Sequence, residues 1–182
     1  GLGVTDVGES REQEATPKHE LTADLPLRWH MIGQLQRNKA SAIARYADVV
    51  HALDRDSVID ALDRGAGAAG RRIVGLVQVS LDQPHVPGRG GAAPDDVMSL
   101  ADRIADCANL DLGGVMAVAP LGVDPAAAFD RLAGVAERVR AVHPGAVIVS
   151  AGMSGDLEAA VSAGATHLRV GSAILGMRTR AG

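Results

Sequence analysis

The sequence predicts an α/β fold, a (β/α)8 barrel of which seven βα units are visible, and three observations carry this. Short apolar runs alternate with longer stretches of helical spacing along the whole chain, the pattern of parallel strands covered by helices. The runs are apolar throughout more often than they alternate, as strands buried on both faces are. No composition shift or linker interrupts the 182 residues, so 1–182 reads as a single domain around one core. Pattern alone also admits an open, doubly wound sheet of seven strands.

VTDVG (4–8) reads as the first strand, and SREQEATPKHELTADL (10–25) as a helical stretch broken near Pro17. RWHMIG (28–33) is the second strand, followed by a helix over 35–47 with apolar spacing at Ile43 and Tyr46. VVHALD (49–54) is the third strand. The helix over 56–70 places Val58, Ile59 and Leu62 on one face. RIVGLVQVS (72–80) is the most continuous apolar strand. The segment 82–96 is a Gly- and Pro-rich loop, in which PGRGG around Arg89 reads as a surface loop with an anion nest as the alternative. Pro94 suits the first turn of a helix that runs to about Ala108. LDLGGVMAVA (110–119) is a strand, and 125–143 a helix closed by Pro144 and Gly145. AVIVSAG (146–152) is the sixth strand. A helix follows over 154–164, with Ser154 as N-cap and Gly164 just past its end. THLRVGS (166–172) is the seventh strand.

Composition narrows the function. With a net charge of −4 and 2% aromatic residues, the chain is neither a general nucleic-acid binder nor a base-stacking surface. No apolar run reaches the about 18 residues of a membrane-spanning helix. The single cysteine, Cys107, allows no intrachain disulfide, and it falls in an amphipathic run where it reads as a small buried residue. The expected setting is a reducing one, the cytoplasm, and the expected state a monomer.

In a parallel barrel the site lies at the C-terminal strand ends. The residues there include His30, Asp54, Ser80, Met116, Ser150 and Arg169. They contain no metal-ligand cluster and no Ser-His-Asp order. The stretch AGMSGDLEAAVSAGATHLRVGSAILG (151–176) carries two small, donor-rich turns, one at Gly152, Ser154 and Gly155 and the other at Gly171 and Ser172. Glycine lets a backbone approach closely, serine adds a hydroxyl, and loops after the last strands of such barrels bind phosphate. Two ordinary connections would look the same. Arg169 stands two residues before Gly171 and on the same face. It reads either as a donor to an anion or heterocycle or as one half of an ion pair at the barrel mouth. His30 reads first as a structural histidine, and Lys18 and Lys39 as surface charges.

Taken together, GESREQEA (8–15), WHMIGQLQRNKA (29–40), GVMAVAP (114–120) and the stretch through 176 closely resemble the pyridoxal phosphate homeostasis family, relatives of the N-terminal barrel of alanine racemase. The resemblance implies a barrel that holds pyridoxal 5′-phosphate at its C-terminal mouth, as a buffer or carrier without strong turnover. It implies Ser154 on the phosphate, Gly171 and Ser172 in a second phosphate turn, and Arg169 facing the pyridine nitrogen. It places His30, Met116 and Met153 near the pocket. Ser10 stands where the family has Asn and receives no role. The family's covalently bound lysine closes a strand upstream of residue 1, so the resemblance implies about fifty preceding residues and an eighth strand. For these 182 residues it implies weak, non-covalent binding. The alternatives are a racemase, which needs an acid/base on each face of the cofactor, and a barrel for another phosphorylated metabolite.

Overall fold

The computed structural model describes residues 3–84, 86 and 90–176. Its strands are β1 (Asp6–Glu9), β2 (Arg28–Met31), β3 (Val49–Leu53), β4 (Ile73–Gln78), β5 (Leu110–Met116) and β6 (Ile148–Ser150). They form one parallel sheet in the order β1-β2-β3-β4-β5-β6. Strand order never reverses, which rules out the doubly wound alternative. The helices are α1 (Glu12–Leu21), α2 (Ala40–Ala44), α3 (Asp56–Ala69), α4 (Val97–Ala105), α5 (Pro125–Val142), α6 (Leu157–Ser162) and α7 (Ser172–Leu175). The sheet curls until its edges approach each other. The imidazole of His51 on β3 bonds Ser150 on β6, and the rings of His30 and His167 lie 6.0 Å apart.

Period-two alternation sorts the strand residues between two layers. Trp29, Met31, Val50, Leu53, Ile73, Val77, Val115 and Val149 face the helices and form the main core with Ile43, Ile59, Leu62, Ile104, Phe129 and Leu132. The opposite, inner face of the sheet carries a small separate cluster, Val49, Ala52, Leu76 and Met116, flanked by Val74 and Ile148. The α3 face read from Val58, Ile59 and Leu62 is fully buried. Pro125 opens α5, and the Asp124 carboxylate accepts from the Ala126 N–H at 3.0 Å. Gly164 ends α6 with φ +86°, and the Ala165 N–H reaches back to the Ala160 carbonyl at 2.9 Å. Gly114, at φ +145°, admits no side chain: a Cβ there would stand 2.0 Å from the Ile148 carbonyl oxygen.

Several expectations need correction. The seventh strand over 166–172 does not form; a single bridge, Ser150 to His167, is all that pairs. The Thr166 hydroxyl takes the Val149 N–H at 2.9 Å, and the N–H groups of Thr166 and His167 both donate to the Val149 carbonyl. Past the bridge the Arg169 N–H goes to the Gly152 carbonyl rather than to that of Ala151, so the ladder slips out of register, and Ser172 enters α7 instead. Pro17 does not break α1. The bond it forfeits is to Gln13, and both residues lie on the solvent side, where water replaces it. The helix over 35–47 is a 3-10 turn, Arg37–Lys39, and the short α2. The helix expected from Pro94 begins at Val97. Arg89 lies outside the described residues. Cys107 is buried, its thiol donating to the Arg103 carbonyl at 3.3 Å. Among the described residues no helix is long and apolar enough to cross a membrane.

Candidate functional site

The curl leaves a cavity of about 720 Å³ between the two edges of the sheet. One wall is β1, from Asp6 to Glu9, and the other is the segment from His167 to Ser172, with His30 and His51 between them. A volume of this size accommodates a small metabolite.

Arg169 dominates the second wall. Its backbone N–H is held by the Gly152 carbonyl at 2.9 Å. Its Nη1 donates to Ser150 Oγ at 2.8 Å and its Nη2 to the Ala117 carbonyl, also at 2.8 Å. No carboxylate lies within ion-pair distance among the described residues, so the ion-pair reading of this arginine falls. Burial pushes its pKa down, opposed by the charge of Asp156. Two of its five N–H groups are used, and the rest find no protein acceptor among the described residues.

Behind Arg169 a line of polar side chains crosses the sheet interior. Ser150 Oγ lies 2.9 Å from His51 Nδ1, His51 Nε2 lies 2.9 Å from His30 Nδ1, and His30 Nε2 lies 3.0 Å from Asp6 Oδ1. Burial pushes the His51 pKa down to about 3, reinforced by the charges of His30, Arg169 and His167. His30 is lowered as well, by burial first, against the opposing bond and charge of Asp6. Asp6 is lowered by the Thr5 hydroxyl first and by His30 and Arg28 after it, against its burial. At neutral pH two uncharged imidazoles therefore stand between a carboxylate and a guanidinium.

The two serine turns meet. Ser172 Oγ donates to Ser154 Oγ at 3.1 Å, and the Ala173 N–H points at the same oxygen from 3.4 Å. Ser154 is not the cap of α6. Asp156 occupies that place, its carboxylate accepting from the Met153 N–H at 2.6 Å. Of the residues singled out from the sequence, His30, Met153, Arg169, Gly171 and Ser172 line the cavity. Ser154 joins them through Ser172. Met116 does not. It is buried in the inner-face apolar cluster, because inward-facing Leu76 and Val49 close over its side chain. Lys18 pairs with Glu9, and Lys39 with Glu12 at 3.1 Å. The only tyrosine, Tyr46, is buried with its hydroxyl 3.7 Å from Met31 Sδ, and burial followed by the charges of Glu12 and Glu9 pushes its pKa up to about 12. It offers no acid/base to the cavity. No group of three potential metal ligands occurs among the described residues.

The sequence left Asp6, His51 and His167 without a role. A signal was present: VVHAL, like RWHM, centres a histidine in an apolar strand, and alternation turns both inward.

The family profile for the N-terminal domain of alanine racemase matches residues 1–179. A pyridoxal phosphate homeostasis protein of Mycobacterium tuberculosis is 43% identical over 196 aligned residues, covering 97% of this chain and 75% of that one. The structure of PipY from Synechococcus elongatus without PLP superposes with a TM-score of 0.88 at 34% identity, covering 96% of this chain and 83% of that one. The PLP-bound form gives 0.85 at the same identity, covering 96% and 82%. An alanine racemase of Clostridium difficile shares the fold alone, with a TM-score of 0.73 at 12% identity over 98% of this chain and 49% of that one.

Proposed function

This chain belongs to the alanine racemase N-terminal domain family, and from that premise we propose that it binds pyridoxal 5′-phosphate and serves its homeostasis, as a buffer or carrier without strong turnover of its own. The observation that carries the reading is Arg169, a half-buried cation on the cavity wall with, among the described residues, unused donors and no carboxylate beside it. Such a group calls for an acceptor from outside the protein. This positively charged wall would repel a cationic ligand, and the paired hydroxyls of Ser154 and Ser172 suit an anion.

In this reading the Ser154 and Ser172 hydroxyls and the Gly171 backbone hold the phosphate, and Arg169 meets the ring nitrogen. His30 and Met153 line the space between, and Met116 supports the floor from the apolar cluster without touching the ligand. Bound there, the cofactor would supply an electrophilic aldehyde and an electron-accepting ring. Arg169 is a donor that does not surrender its proton, so it leaves the ring nitrogen unprotonated and the ring a weak electron sink. That suits storage better than turnover. Neither Lys18 nor Lys39 stands on the cavity wall, so the hold these residues supply is non-covalent.

The finer architecture proposed is the (β/α)8 barrel, supported by the unreversed strand order and the approach of the two sheet edges. The proposed setting is the cytoplasm, supported by the single, buried cysteine, and the proposed state is a monomer. Calorimetric titration with pyridoxal 5′-phosphate tests the function. The expected result is saturable, weak binding that drops about tenfold in Arg169→Met and is not reproduced by pyridoxal, which lacks the phosphate. Binding indifferent to both changes, or no binding, would overturn the reading.

A further inference from the structure

We propose that Asp6 is a positioning residue for Arg169, acting across the sheet interior through a one-way hydrogen-bond relay over His30, His51 and Ser150; its bearing on the cofactor rests on the function proposed above. The four links run 3.0, 2.9, 2.9 and 2.8 Å from Asp6 to Arg169. They join β1, β2, β3, β6 and the segment beyond it, so the relay spans from one wall of the cavity to the other.

Its direction follows from what each atom can do. An ionised carboxylate only accepts, so His30 Nε2 carries a proton and donates to Asp6. A neutral His30 then has a bare Nδ1, which accepts from His51 Nε2–H. His51 Nδ1 is bare in turn and accepts from the Ser150 hydroxyl. Ser150 has spent its only proton, so towards Arg169 it is an acceptor and nothing else. Ser150 is fully buried, so bulk solvent does not compete for its hydroxyl. The Nη1 of Arg169 is thereby fixed, with the Ala117 carbonyl fixing Nη2, and the unused donors are aimed by that clamp.

The groups facing the imidazole pair favour this order. Among the described residues Asp6 on β1 is the one carboxylate bonded to it, while Arg28 on β2, His167 after β6 and Arg169 all oppose a positive charge on it. An added proton on His51 Nδ1 would reverse its link to Ser150, bring a cation close to Arg169 and leave the Ser150 hydroxyl without an acceptor. A histidine pair serving only to fill the interior would have no need of one tautomer over the other.

The tautomers can be read without any ligand. Long-range proton–nitrogen NMR on protein labelled with 15N-histidine is the measurement, with the two rings assigned through His30→Gln and His51→Gln. The full chain should show both as neutral Nε2–H tautomers between about pH 6 and 8. Asp6→Lys, which puts an obligate donor in place of the acceptor, should turn both rings to Nδ1–H, and Asp6→Glu should restore the original spectrum. Either ring found as Nδ1–H in the unaltered protein overturns the relay, and that result needs no variant to fold. An unchanged His51 in Asp6→Lys also overturns it. For the link to the site, Ser150→Ala should weaken pyridoxal 5′-phosphate binding about tenfold. Undiminished binding in that variant would overturn the positioning role. Should the unaltered protein bind no pyridoxal 5′-phosphate, the function proposed above falls, and the tautomers still decide the relay.

Discussion

The inner face of the sheet differs between its centre and its edges. Where β3, β4 and β5 lie side by side it is apolar, with Val49, Ala52, Leu76 and Met116 in mutual contact. Where the edges approach each other it is polar, with Asp6, His30, His51, Ser150 and Arg169 in line. Burial does not separate their middles, since Leu76 and Ser150 are both at 0% exposure and Met116 and His51 both at 2%, although the polar line opens towards solvent at its two ends, Asp6 and Arg169. What separates them is how they are satisfied. The apolar patch needs only contact, which has no direction. The polar line needs each donor matched to an acceptor, and it ends in an arginine whose remaining donors meet no acceptor among the described residues. A buried region becomes a site here because its hydrogen bonds do not close upon themselves.

The apolar side should respond most strongly to substitution. Met116→Ala should cost about 3 kcal/mol of stability in denaturant unfolding, with cofactor affinity in the folded fraction unchanged. A loss of affinity with little loss of stability would place Met116 in the site after all.

Acid should act on the polar side. The folded-state pKa of His51 lies near 3, against about 6.5 in an unfolded chain. As pH falls below 6.5 the unfolded state takes up a proton that the folded state refuses. Stability contributed by the neutral imidazole is therefore complete above that pH and is lost progressively below it. The expected fall is on the order of 2 kcal/mol by pH 5, with His30 and His167 adding in the same direction. Denaturation curves from pH 8 to 5 check this, and His51→Gln should flatten the fall.

Arg169→Met should separate binding from folding. Affinity for pyridoxal 5′-phosphate drops about tenfold, while stability falls by only about 1 kcal/mol: the Ser150 oxygen and the Ala117 carbonyl lose a donor, but a half-buried cation without a described carboxylate partner no longer has to be held there. The smallest effect belongs to Ser154→Ala on the exposed rim, about threefold in affinity, since Ser172 and backbone donors remain.

The fold was legible where periodicity is strong. The face of α3 at Val58, Ile59 and Leu62 and the start of α5 at Pro125 follow from spacing and cap chemistry. The segment 166–172 misled because its apolar spacing is that of a strand, while Thr166 competes for the strand's backbone bonds through its side chain, a contest that propensity does not register. The serine turns and Arg169 were visible as residues, and their meeting was a matter of tertiary contact. His51 was harder still. Its partner, Ser150, lies 99 residues away, and only the curl of the sheet brings β3 and β6 together. Met116 was misplaced for a related reason: a residue at a strand end can face the cavity or the apolar cluster, and side-chain packing decides which.

The most direct test of the account is to follow backbone amide and arginine Nε resonances by NMR while pyridoxal 5′-phosphate is added. The account predicts saturable shifts at Arg169, Gly171 and Ser172, on the polar edge, with the apolar residues Val49, Leu76 and Met116 unmoved. Shifts confined to other parts of the surface, such as the cleft beside Gln36 and Lys39, or no shifts at all, would contradict it.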